Sequence, residues 1–315
     1  MILPDKEKKR VVMVGYGSQG RALSLNLRDS GLSVTLGLRS GSKSRRRARQ
    51  DRFASITTIG QAVRVADVVC MAFPDHLHGR VFSRDIEKNL RAGATLLFLH
   101  GMSVHFGLVK PPAACDVVLI APHAPGVALR EKFLTDRSVS AFYAVARNHS
   151  GKALRTVFGL ADAIGIKRKR LLKTTFAAEA VGDIFGEQAV LCGGLSALIK
   201  NGFEVLVENG LPPEHAYLEV AYQLDLIVRL IKEHGIEGML RRISATARYG
   251  SILAGPKLID GAVRKRMTRL YREIESGTFA RRLSTLEPDL MASIDKQLLA
   301  LSHPDLEKAA KKFSR

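Results

Sequence analysis

Apolar runs alternate with amphipathic stretches over the first half of the chain. The runs at 10–15, 33–38, 67–73, 94–99, 116–120 and 139–146 predict strands. Val68–Phe73 and Ala94–Leu99 are apolar nearly throughout, as suits strands covered on both faces. Between the runs, Gln19–Asp29, Gly60–Val65 and Ser150–Ile164 carry helical spacing. Such alternation predicts an α/β fold built on a parallel, doubly wound sheet. After about Lys173 the strand pattern stops. Apolar residues then recur at helical spacing over 176–209, 213–234, 236–248 and 260–276. Glu287–Arg315 reads as one or two short amphipathic helices. The expected organisation is an α/β domain over 1–172 and an all-helical domain over 173–315.

The first strand runs into Gly15-Tyr16-Gly17-Ser18-Gln19-Gly20. This is the dinucleotide fingerprint in its working context, between a strand and a helix. Gly15 allows the tight turn, Gly17 a close approach of backbone to a pyrophosphate, and Gly20 close packing of helix on strand. The first domain is therefore expected to be a Rossmann domain. An acidic residue ending the second strand would favour NAD. Here the strand ends Leu36-Gly37-Leu38-Arg39, followed by Ser40-Gly41-Ser42-Lys43-Ser44. Arg39, Ser42, Lys43 and Ser44 suit a 2′-phosphate, so NADP(H) is the expected cofactor. The alternative is a solvated turn.

The formal net charge is +19 over 315 residues. Basic clusters at Lys6–Arg10, Ser42–Arg49, Lys167–Arg170, Arg264–Arg269 and Lys311–Arg315 raise the question of nucleic acid. They are scattered, with no recognition helix, aromatic platform or zinc module, so solvated helix faces and attraction for anionic ligands fit better. Cys70, Cys115 and Cys192 lie far apart in apolar segments and read as reduced core thiols. The absence of an 18-residue apolar run argues against a membrane span. The charged start leads straight into a strand and is no secretory signal, so a cytoplasmic protein is expected.

In the helical half, Asp183 and Glu187 are four apart, as are Glu219 and Gln223. Each pair shares one helix face, and two such pairs facing each other would make an oxygen cage suited to Mg²⁺. Spacing alone favours ordinary surface charge. The apolar company of Asp183 and Glu187 (Ile184, Phe185, Ala189, Val190, Leu191) favours a site.

The chain resembles the short bacterial class of ketol-acid reductoisomerase over nearly its whole length. The resemblance rests on Gly15–Gly20, Leu38–Ser44, Pro74-Asp75, His100-Gly101, His105-Phe106-Gly107, Ala121–Gly126, Thr174-Thr175-Phe176, Asp183–Gln188, Leu191–Gly194, Ile243–Gly250 and Gly277–Arg281. It implies an NADPH- and Mg²⁺-dependent conversion of 2-acetolactate, or its ethyl homologue, to a dihydroxy acid in branched-chain amino acid synthesis. It also implies a knotted helical domain and homodimers with shared active sites. By position it assigns Asp183 and Glu187 to Mg²⁺, with Glu219 from the partner subunit. Ser244 would bind the substrate carboxylate, and His100 would lie beside the nicotinamide. Gly15, Tyr16, Gly17, Ser18, Gln19, Gly20, Arg39, Ser42, Lys43, Ser44, Pro74, Asp75 and Gly126 would hold or line the cofactor.

The pattern breaks within the site. His123 replaces a lysine, Gln223 a metal-binding glutamate, Ala245 an asparagine and Arg248 a glutamate. The first two changes remove one cation and one anion, which conserves the formal charge of the site if His123 is neutral. A neutral amide holds Mg²⁺ more weakly than a carboxylate, so the alkyl migration is the step most affected. These departures point to an enzyme repurposed for specialised metabolism on a small hydroxy or keto acid, cyclopropanol-type ring formation being one example in the wider group. The alternatives are ordinary acetolactate reductoisomerase activity and a non-catalytic cofactor- or nucleic-acid-binding protein.

Overall fold

The computed structural model describes residues 9–285, 294–298 and 301–314. Parts of the basic Lys6–Arg10 and Lys311–Arg315 clusters and of the Glu287–Arg315 stretch lie outside them.

The first half forms an eight-stranded sheet: β1 Arg10–Val14, β2 Ser33–Gly37, β3 Ile56–Thr57, β4 Val68–Met71, β5 Thr95–Phe98, β6 Asp116–Pro122, β7 Ala141–Arg147 and β8 Leu171–Lys173. The spatial order is β3-β2-β1-β4-β5-β6-β7-β8. All six predicted strands are present. β3 and β8, at two and three residues, are too short for an apolar period to reveal. One pairing departs from the expected parallel sheet: β7 runs antiparallel to β6, with a register shift at Val117/Val118. The other pairings are parallel. Helices α1 Ser18–Asp29, α2 Ser44–Gln50, α3 Ile59–Val63, α4 His78–Val81, α5 Met102–His105, α6 Gly126–Leu134 and α7 Ala153–Ala163 connect the strands.

The sheet is covered on both faces, which explains its uninterrupted apolar strands. Val11, Met13, Val68, Cys70, Leu97, Val118 and Ile120 pack to one side with α1 and α7. Val12, Val14, Val69, Met71, Leu96, Phe98 and Leu119 pack to the other with α3.

The second half is helical: α8 Phe176–Gly186, α9 Gly193–Glu208, α10 Pro213–Tyr217, α11 Leu224–Leu240, α12 Ala245–Leu258, α13 Gly261–Glu275, α14 Thr278–Ser284 and the helix Pro304–Phe313. Gly235 takes a positive φ of 71° and kinks α11. The predicted helix over 236–248 is broken at Arg241–Ile243, where Ser244 caps α12. Contacts divide the chain into two compact units. One runs through Gly182 and takes in Ala280–Thr285; the other holds Asp183–Phe279 and the described residues after 285.

Two further expectations change. Cys70 and Cys115 are buried, but Cys192 is exposed. The run Phe176–Glu208 is long and apolar enough, by length and composition alone, to cross a membrane. Counting uninterrupted apolar residues overlooked it because Asp183 and Glu187 punctuate it.

Candidate active site

The crevice of a doubly wound sheet opens at the carboxyl ends of its strands, where the order reverses around β1. Gly15 stands there with φ of 97°; a Cβ on it would lie 2.3 Å from Ala72 O and 2.9 Å from Phe73 Cβ. The turn after β4 is thereby pressed onto the fingerprint. Above Gly17 the space is open, and a Cβ would meet nothing within 4 Å. Arg21 N bonds back to Gly17 O at 2.9 Å. The N–H groups of Ser18, Gln19 and Gly20 belong to the first turn of α1, where no intrahelical acceptor exists. Gly126, at the start of α6, is buried with its Cα against Ser18, so the two helix starts meet at the mouth of the crevice. Gln19 Nε2 donates to Ala124 O at 2.7 Å, while its Oε1 is buried without a protein partner. An open cradle, an orphaned acceptor and the free donors of α1 all fit a dinucleotide.

Tyr16 takes part in the fold through its side chain. Its ring is 3% exposed, packs edge-on against Phe53 and donates its hydroxyl to Asp51 Oδ2 at 2.8 Å. Only its backbone remains for a cofactor. Burial, reinforced by Asp51, pushes its pKa upward. Arg21 grips both oxygens of Asp51, at 2.7 and 2.8 Å, and holds that carboxyl below its usual range. This clamp ties the fingerprint to the end of α2.

The loop from β2 to α2 carries the residues expected at the adenosine end. Arg39 is exposed and lines a cleft of about 590 Å³ with Ser40, Thr58, Gln61, Arg64 and Arg84. Ser42 N bonds to Arg39 O at 3.1 Å, and Ser44 N to Ser42 Oγ at 3.3 Å, which folds the loop over the start of α2. Lys43 is exposed beside them.

His100 follows β5, with a side chain 17% exposed. Asp75 Oδ1 lies 4.0 Å from its Nδ1, and Glu179 Oε2 lies 4.0 Å from its Nε2. Pro74 starts the turn that carries Asp75, through Leu77 N to Pro74 O at 2.9 Å. Glu179 is 4% exposed and accepts from Gly101 N. Sequence reasoning missed Glu179, although its apolar company (Phe176, Ala180, Val181) is the signal that singled out Asp183. It also missed His78 and Ser103, both buried beneath this turn. Burial depresses the His78 pKa; Asp75 opposes the shift, and His100 and His76 reinforce it.

That depression has a sign in stability. Below about pH 6.5 the unfolded chain takes up the proton that folded His78 still refuses, so stability falls with falling pH until the folded pKa is reached. The depressed carboxyls Asp29, Asp51 and Asp67 weaken the fold only at lower pH, around and below about 4. Urea melts at pH 7.5 and 5.5 are expected to show a loss of stability in the native chain that is smaller in His78→Gln. Equal losses would exclude His78 as the source.

The carboxylates of the helical half sit on widened turns. Asp183 is exposed near the end of α8, and Glu187 opens a π-helical turn, Glu187–Leu191, closed by Cys192 N to Glu187 O at 2.9 Å. That wide turn drives carbonyls to where side chains would stand. A Cβ on Gly193 would lie 2.3 Å from Gln188 O, and one on Gly194 2.1 Å from Ala189 O. Glu219 lies in a second π turn, Leu218–Tyr222, and Gln223 follows it. Gln223 Nε2 donates to Leu218 O at 3.2 Å and reaches Glu219 Oε2 at 3.5 Å. Such turns recur at functional sites. Two hard carboxylates one turn apart suit Mg²⁺. Among the described residues of one chain, however, no group of three or more His, Cys, Asp or Glu forms a metal cluster. Ser244 caps α12, its Oγ accepting from Ala247 N at 3.1 Å. Arg248 bonds the carbonyls of Leu240 and Arg241. His123 is exposed, edge-on to Phe142 at 4.5 Å.

The sheet order, the fingerprint and the appended helical domain define a dinucleotide-dependent enzyme. Residues 6–170 match the NADPH-binding domain of acetohydroxy acid isomeroreductase, and residues 176–313 match the ketol-acid reductoisomerase C-terminal domain. The chain belongs to the ketol-acid reductoisomerase family. It is 49% identical over 273 residues to the ketol-acid reductoisomerase (NADP(+)) of Pyrobaculum arsenaticum, covering 87% of this chain and 83% of the relative. It is 44% identical over 304 residues to that of Xanthomonas campestris pv. campestris strain B100, covering 96% and 91%. An NADH-preferring ketol-acid reductoisomerase from an uncultured archean superposes with a TM-score of 0.89 at 36% identity, over 96% of this chain and 93% of that one.

Proposed function

We propose that the protein is an NADPH- and Mg²⁺-dependent ketol-acid reductoisomerase that rearranges and reduces 2-acetolactate or its ethyl homologue. The observation that carries this reading is the pair Asp183 and Glu187, exposed four residues apart where α8 runs into the π turn, among Ile184, Phe185, Ala189, Val190 and Leu191, in a chain whose other half presents the open Gly17 cradle. Relatives named for that reaction at 44% and 49% identity support it over the repurposed activity that His123 and Gln223 suggested. When bound, Mg²⁺ polarises the substrate carbonyl and steadies alkoxide charge, and NADPH supplies hydride. The chain's own part is positional. Asp183 and Glu187 hold the metal, Ser244 at the start of α12 meets the substrate carboxylate, and His100 faces the nicotinamide.

A second copy completes the site, with Glu219 of the partner subunit contributing to the metals. Exposed apolar side chains on α9, α11 and α12, including Leu198, Val205, Leu226, Ile231, Ile252 and Leu253, support a homodimer. The same burial accounts for the apolar run Phe176–Glu208 in a cytoplasmic enzyme. Following NADPH absorbance with 2-acetolactate and Mg²⁺ tests the activity; no consumption at any metal concentration would refute it.

The preference for NADP(H) over NAD(H) rests on Arg39, Ser42, Lys43 and Ser44. Arg39→Ala is expected to weaken NADPH binding by about 10- to 100-fold, the loss of one charge-assisted phosphate contact, and to leave NADH nearly unchanged. Fluorescence titration of both cofactors reads this directly. Equal losses for the two would show that Arg39 does not meet the 2′-phosphate.

A further inference from the structure

The turn after β4 and the start of α5 close around one imidazole. His78 is 2% exposed. Its Nε2 lies 2.9 Å from Phe73 O, and a carbonyl only accepts, so this nitrogen carries the proton. Its Nδ1 lies 2.8 Å from Ser103 Oγ, a fully buried hydroxyl that donates to it in the neutral ring. Asp75 Oδ1 stands between two imidazoles, 3.7 Å from His78 Nδ1 and 4.0 Å from His100 Nδ1. The His78 ring packs on Phe73, with centroids 4.5 Å apart. Ala72 and Phe73 are the residues that the missing side chain of Gly15 would strike. His78 therefore grips the segment that touches both the dinucleotide turn and His100.

We propose that His78, backed by Ser103, is a positioning residue: it locks the Phe73–Asp75 turn so that Asp75 orients His100 toward the nicotinamide. The proposal rests on the reading of His100 as the nicotinamide-side residue. The requirement is a donor to Phe73 O and an acceptor for Ser103 on one side chain. Glutamine carries both at similar reach; leucine fills the volume and carries neither.

The full-length protein, with Mg²⁺ and NADPH, is compared with His78→Gln, His78→Leu and Ser103→Ala. The assay is reduction of a 3-hydroxy-2-keto acid, which isolates hydride transfer, alongside NADPH binding by fluorescence. His78→Leu is expected to lower kcat by about 10- to 100-fold with KM for the keto acid nearly unchanged, as for a misplaced reacting group. His78→Gln is expected to recover kcat to within about threefold of native. A folded His78→Leu variant with native kcat would overturn the positioning role, as would a His78→Gln variant as impaired as leucine. If His78→Leu does not fold, Ser103→Ala decides. A several-fold fall in kcat supports the role, and native kcat overturns it. A native chain that fails to bind NADPH would overturn the cofactor reading itself, an outcome distinct from native turnover that ignores His78.

Discussion

Asp183→Asn is expected to lower kcat/KM for 2-acetolactate by at least about 10³-fold, or about 4 kcal/mol of transition-state stabilisation, while NADPH binding stays within about threefold of native. The separation follows from the fold. The dinucleotide cradle is made by β1, α1 and the loop after β2, whereas Asp183 stands near the end of α8 in the helical unit. An amide keeps the shape of the side chain and removes the charge that a hard dication requires. The side chain is exposed, so the substitution leaves no buried charge stranded, and the melting temperature is expected to hold. Glu187→Gln is expected to behave alike. Steady-state kinetics with NADPH titration separates the two effects. Undiminished turnover in the variant, or in excess chelator, would defeat metal-dependent chemistry here.

What the sequence made legible follows from how locally each feature is encoded. The strands β1, β4 and β5 were readable because both faces are covered, so every position had to be apolar. The fingerprint was readable because backbone geometry at Gly15 admits no side chain. β7 was misread as parallel because its direction depends on its partner, and no period within 139–146 encodes that. The place of Tyr16 inside the fingerprint says nothing of its ring, which turns to Phe53 and Asp51, a choice made by tertiary contacts. His78 and Ser103 escaped notice for the same reason. Each is unremarkable in its own segment and acquires a role only where two strand ends meet. The π turns were equally hidden, although Gly193-Gly194 was the trace of the first. The proposed metal pair stands out in the sequence because two carboxylates in apolar company conflict locally with their neighbours.

Restoring the family residues at the two altered positions is expected to tighten the metal site cooperatively. Gln223 gives a neutral oxygen where the family has a carboxylate, and its amide nitrogen now lies 3.5 Å from Glu219 Oε2. Gln223→Glu alone supplies the missing ligand but also sets two carboxylates one turn apart, which repel until a cation joins them. His123→Lys alone adds a cation at an exposed position whose ring now rests edge-on against Phe142, and leaves the metal ligands unchanged. Together they return one charge of each sign. Mg²⁺ affinity in the NADPH complex, measured by calorimetry, is expected to rise by about 10-fold in Gln223→Glu. The double variant is expected to exceed the sum of the single changes by about 1–3 kcal/mol, the coupling expected if the proposed site brings both charges to one metal. Turnover of 2-acetolactate at subsaturating Mg²⁺ should follow the same order, while saturating Mg²⁺ should bring native and double variant closer together. Strict additivity would mean that the two positions do not share a site. A double variant that binds Mg²⁺ no more tightly than native would mean that Gln223 never stood among the ligands.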